Sequence, residues 1–77
     1  MKVDKLLKKY IGLVDVEFYK NKRLIEHTTN RDLYTGYPFD LNNYMLLNSK
    51  IKSYSIQFVK DVECIVILIN IKTEKGE

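Results

Sequence analysis

Apolar and polar positions change their period along this chain, and each change marks an element boundary. Val3, Leu6, Leu7, Tyr10 and Ile11 fall at i, i+3, i+4, i+7 and i+8, one face of an α-helix. The spacing predicts a helix over residues 2–11, with Gly12 placed to end it as a left-handed C′ residue. A helix this short is marginal in water, so its stripe is expected to dock on a sheet. From Leu13 the period becomes two: Val14, Val16 and Phe18 alternate with Asp15, Glu17 and Tyr19, a strand with one buried face. Lys20-Asn21-Lys22-Arg23 interrupts the alternation, and Asn tolerates positive φ, so a tight hairpin centred on Asn21-Lys22 is expected. Leu24 to Thr29 returns as the second strand.

Residues 30–40 follow neither period and hold Gly36 and Pro38, the marks of a connection. Asp40 is placed to N-cap a short helix over Leu41 to Leu47, ending near Asn48. Lys50 to Phe58 reads as a strand, with Lys52, Tyr54, Ile56 and Phe58 on one face and Ile51, Ser53, Ser55 and Gln57 on the other. Lys60-Asp61 marks a turn. Val62 through Ile71 is a nearly unbroken apolar run, the pattern of a strand covered on both faces. The expected fold is therefore α+β: an N-terminal helix on a four-stranded antiparallel sheet, in the order α-β-β-short α-β-β. A single domain over residues 1–72 and a frayed tail over 73–77 complete the expectation.

Composition adds three constraints. The chain has no Ala and no Trp but eight Ile, six Val and six Tyr, a bias toward residues that pack on pleated surfaces. No apolar run approaches the roughly 20 residues of a bilayer-crossing helix, and residues 1–9 lack the apolar segment of a signal peptide. With 77 residues the core is thin, and one Cys (Cys64) with one His (His27) allows neither an intrachain disulfide nor a Cys/His metal cage. A partner chain is the remaining support, so homodimerisation or tight binding to a target is expected. No cofactor is expected, and the lone Cys in an apolar stretch fits a reducing cytoplasm.

The formal net charge is +3. By region it is +3 over residues 1–12, −1 over 13–49 and +1 over 50–77, so the excess equals the charge of the first helix. Lys5, Lys8 and Lys9 would be the phosphate contacts of a nucleic-acid-binding protein. A solvated helix face explains them equally simply, and the absence of Arg from the helix favours that reading.

The connection concentrates recognition chemistry: Arg31, Tyr34, Tyr37 and Phe39 lie within nine residues, and Tyr and Arg dominate interface hot spots. Covering the bottom of a thin core is the competing role for the same aromatics. Tyr54 and Phe58 could form a stacking platform, but Ile56 on the same face points to packing against the helix. His27 and Cys64 have no placed carboxylate to orient them, and Gly36 stands alone, so an enzyme is not expected. The last strand, if bare on one side, would leave an apolar face or edge that a second copy could cover.

Leu6-Leu7-Lys8-Lys9-Tyr10-Ile11, Tyr19-Lys20-Asn21-Lys22-Arg23-Leu24-Ile25, Asp32-Leu33, Pro38 and Ile51-Lys52-Ser53-Tyr54 form a pattern spanning most of the chain. It resembles a group of small phage and mobile-element proteins of low-GC Gram-positive bacteria, with Lys22 where those have Gly. The resemblance brings no catalytic residues. It implies a cytoplasmic role in a bacterial host: a non-enzymatic inhibitor of a host protein complex, of the anti-CRISPR or other anti-defence kind, a CRISPR effector being one such target. The alternatives are a nucleic-acid-binding accessory protein using the basic helix and a sponge for a small nucleotide signal.

Overall fold

Both hairpins form where the alternation predicts them. In the computed structural model, which describes residues 1–73, β1 (Asp15–Lys20) and β2 (Arg23–Thr29) are joined by Asn21 and Lys22. These two residues have φ of 52° and 65°, the double positive φ of a type I′ turn. β3 (Ile51–Val59) and β4 (Cys64–Ile71) form the second antiparallel hairpin. Between them lie α2 (Asn30–Tyr34) and α3 (Leu41–Asn48), and α1 (Val3–Leu7) precedes the sheet. The Asp40 side chain accepts a hydrogen bond from the Asn43 N–H at 3.0 Å, the expected N-cap of α3.

The hairpins join otherwise than expected. The strand order is β2-β1-β4-β3, and β1 runs parallel to β4, so the sheet is mixed rather than purely antiparallel. The cause is the α2–α3 crossover: it leaves β2 at one end of the sheet and delivers the chain to β3 at the other. That reverses the second hairpin and brings β1 and β4, the strands that carry most of the buried sheet residues, side by side. Val16 then neighbours Ile67 and Phe18 neighbours Ile69 across the central pair.

All three helices lie on one side of this sheet. Val3, Leu6 and Leu7 of α1, Leu33 of α2 and Leu46 and Leu47 of α3 meet Val14, Val16, Phe18, Ile51, Ile67, Ile69 and Ile71 in one core. No polar or charged side chain is buried among the described residues. The opposite face is bare: Asp15, Glu17 and Tyr19 line up beside Val66, Leu68 and Asn70. β4 is therefore covered on one face only, where its apolar run suggests two.

Other boundaries also shift. α1 ends at Leu7 rather than Ile11: Tyr10 still packs against the core from the turn that follows, but Ile11 is fully exposed. Gly12 is not left-handed; Gly36 is, with φ 82°. α2 forms inside the stretch read as an aperiodic connection, with the Thr29 hydroxyl accepting from the Asp32 N–H at 3.1 Å. Its first residue, Asn30, latches the segment before β1: its side-chain oxygen accepts from Val14 N–H at 3.0 Å and its amide donates to the Gly12 carbonyl at 2.9 Å. A bulge at Lys52 turns Ile51 onto the core side while Ser53 faces out, so the two do not share a face as simple alternation implies. Residues 74–77, most of the expected frayed tail, lie outside the described residues.

This packing predicts a sharp contrast between two isoleucines on adjacent strands and the same side of the sheet. Ile69→Ala is expected to cost about 2–4 kcal/mol, and Ile56→Ala under about 1 kcal/mol, since only Ile69 is enclosed. Urea unfolding checks both, as a lowered midpoint at unchanged slope.

Candidate functional site

The helices do not reach across the whole sheet. Tyr54, Ile56 and Phe58 stand opposite Ile69, Ile67 and Ile65 in the β3–β4 register, on the same side as the core. Yet they are 42%, 50% and 63% exposed, and Ile65 beside Phe58 is 38% exposed. The expectation that Tyr54, Ile56 and Phe58 pack against the helix is thus corrected. The α3 N-terminus lies toward β2, where the Asn42 amide reaches Glu26 at 3.5 Å, and β3 projects beyond the helical layer.

β3 is also an outer strand: β4 is its partner strand, and the start of its other edge is covered by Met1 and Lys2, the Ile51 N–H donating to the Met1 carbonyl at 2.8 Å. From Ser53 onward that other edge presents unpaired backbone N–H and C=O groups. From Ser53 to Phe58 the sequence Ser-Tyr-Ser-Ile-Gln-Phe carries no charge and no Pro, the devices that usually protect an edge. The opposite edge, β2, has a bulge between its pairings to Phe18 and Tyr19 and carries Arg23 and Glu26. β4, whose apolar run suggested an edge for a second copy, is paired on both sides; the open edge belongs to β3.

A second apolar surface lies on the outer side of α3. Leu41, Tyr44 and Met45 share one helical face turned away from the buried Leu46 and Leu47, and Phe39 just before them is 91% exposed.

The sequence-selected aromatics divide between structure and surface. Tyr34 and Tyr37 are half-buried and pack against the core. The Tyr34 hydroxyl donates to Asp4 Oδ1 at 2.5 Å, and Lys8 pairs with the other Asp4 oxygen at 3.2 Å, so α2 is tied to α1. Tyr37 meets Tyr34 edge-on and stacks on Tyr44, both with ring centroids 6.0 Å apart, and is followed by a cis peptide to Pro38. Arg31 is exposed and shares with Tyr34 and Tyr10 a shallow cleft between α1 and α2. The four residues therefore do not form one continuous recognition face. Lys5, Lys8 and Lys9 remain exposed, with Lys8 engaged by Asp4.

His27 and Cys64 lie on β2 and β4 with β1 between them. The Cys64 thiol instead donates to Asp15 Oδ2 at 3.5 Å, and desolvation followed by that carboxylate push its pKa up, away from a reactive thiolate. Among the described residues no three His, Cys, Asp or Glu side chains are placed to hold a metal ion. No helix of the described residues is long and apolar enough to cross a membrane.

The Tyr34 tether gives a signed pH dependence. Desolvation first, then the hydrogen bond to Asp4, hold the phenol protonated well above its ordinary pKa near 10. A raised folded-state pKa contributes stability that is complete below the unfolded value and lost as pH climbs past it. Tyr34→Phe is expected to cost about 1–2 kcal/mol at pH 7. Its stability should then fall less steeply than the parent's above pH 10, as denaturant titrations at stepped pH will show. Compared with known protein families, with curated proteins and with solved structures, the chain matches none of them.

Proposed function

We propose that this protein is a non-enzymatic binding module that docks a protein partner along β3. The observation that carries the reading is the coincidence, on one strand, of an uncharged open edge and an exposed apolar row. An extended partner segment pairing with the edge gains main-chain hydrogen bonds, and Tyr54, Ile56 and Phe58 supply side-chain contact on one side. Covering the exposed halves of Ile56 and Phe58 contributes roughly 1 kcal/mol each. The exposed face of α3 with Phe39 offers further apolar contact area. The resemblance to small phage and mobile-element proteins supports a host complex as the partner, with inhibition of a defence system as the outcome.

The test is affinity capture from a bacterial host lysate with the parent protein and with Phe58→Glu and Ile56→Lys. Both side chains are exposed, so the variants are expected to keep the parent's melting profile. A partner retained by the parent and lost at least tenfold by both variants supports the reading. No partner, or one retained equally by both variants, contradicts it.

A further inference from the structure

Reading charge along the sequence places the basic excess in the first helix, whereas the fold gathers cations elsewhere. The parallel β1–β4 pair sets the end of β1, the start of β2, the start of β3 and the end of β4 at one end of the sheet. Lys20, Lys22 and Arg23 arrive there from the first hairpin, and Lys50 and Lys52 from the entry to β3. Lys72 follows β4, its N–H bonded to the Lys50 carbonyl at 2.8 Å, and Lys2 bridges Lys50 from before α1. All seven are exposed, and among the described residues no carboxylate pairs with any of them. Asp15 at the start of β1 and Asp61 and Glu63 in the β3–β4 turn lie at the opposite end, with Lys60 as the cation beside them. The molecule is electrically polarised along its strands.

The basic end also holds a cleft of about 550 Å³ lined by Asn21, Lys22, Lys52, Ser53, Asn70 and Ile71. Lysines on two sides with amide and hydroxyl groups between them suit phosphate oxygens, which need compensating charge and hydrogen-bond donors. Tyr19 is the neighbour of Asn70 in the β1–β4 register, on the same bare face. Its hydroxyl donates to Glu17 at 2.7 Å, so the ring leans back along β1, one strand over from the cleft, which it does not itself line. An aromatic ring next to spaced cations is the combination that binds single strands, a base stacking while the backbone follows the charges. A lipid surface would need a continuous apolar face at this end to insert, but the exposed Leu24 and Met1 there sit at opposite edges of the sheet, beside β2 and β3, and Phe58 lies toward the other end.

We infer that the basic end of the sheet binds single-stranded nucleic acid, with phosphates on Lys22 and Lys52 and a base on Tyr19. The site is separate from the β3 edge strip and stands whether or not a protein docks there. Engagement of about four phosphates gives a log–log salt slope near −3 for a single strand.

Fluorescence anisotropy with labelled 20-nucleotide DNA and RNA of mixed sequence, the matching DNA duplex, and poly-glutamate as competitor tests it. Binding that follows this slope and favours a single strand over the duplex supports the inference, and the tighter of the DNA and RNA strands names the sugar. The double variant Lys22→Glu/Lys52→Glu is expected to bind at least tenfold more weakly, and Tyr19→Ala about tenfold more weakly at an unchanged salt slope. Lys5→Glu/Lys9→Glu is expected to stay within about threefold, and melting curves confirm that each variant folds. The inference is overturned by absence of binding at low salt, by equal or tighter binding of the duplex, by indifference to the Lys22/Lys52 reversal, or by poly-glutamate competing as well as nucleic acid.

Discussion

Parallel pairing of β1 with β4 is the constraint from which the rest of this structure follows. It places Val16, Phe18, Ile67 and Ile69 side by side, all fully buried, and gives the thin core its one continuous apolar floor. Three short helices could not hold together by themselves. Val3, Leu6, Leu7, Leu33, Leu46 and Leu47 are stable as helical side chains because that floor receives them. The same pairing sends β2 and β3 to the outside, and so decides which strand edges meet solvent.

Much of the local structure was legible in the residues. Period-two alternation located β1, Asn21-Lys22 located the first turn, and Asp40 located the cap of α3, because each depends on neighbours within a few positions. The joining of the hairpins was not legible, since period two says which side chains share a face and nothing about which strand lies alongside. Residues 30–34 hid a helix because one turn capped by Thr29 leaves only Leu33 as a buried mark. Likewise Tyr54, Ile56 and Phe58 carry the pattern of a core strand. Whether helices extend far enough to cover them is set by the lengths of α1 and α3, and no periodicity in β3 records those lengths.

The surfaces divide along the same lines. Of the residues singled out for recognition, Tyr34 and Tyr37 fasten the link to α1 and α3, leaving Phe39 and Arg31 at the surface. Apolar exposure is instead concentrated on β3 and on the outside of α3, and positive charge at the Lys22 end of the sheet. A partial signal for the charged end existed in the chain: Lys20, Lys22, Arg23, Lys50, Lys52 and Lys72 all flank predicted strand ends. Their convergence required the strand directions, which the parallel pair alone supplies.

The account stands on β4 being central and β3 being an open edge, and amide hydrogen exchange on the isolated monomer reads both at once. The central amides of β1 and β4 are expected to exchange only through global unfolding, while alternate amides of β3 from Ser53 onward, those turned away from β4, exchange rapidly. Uniform protection along β3, or fast-exchanging alternate amides along β4, would contradict it.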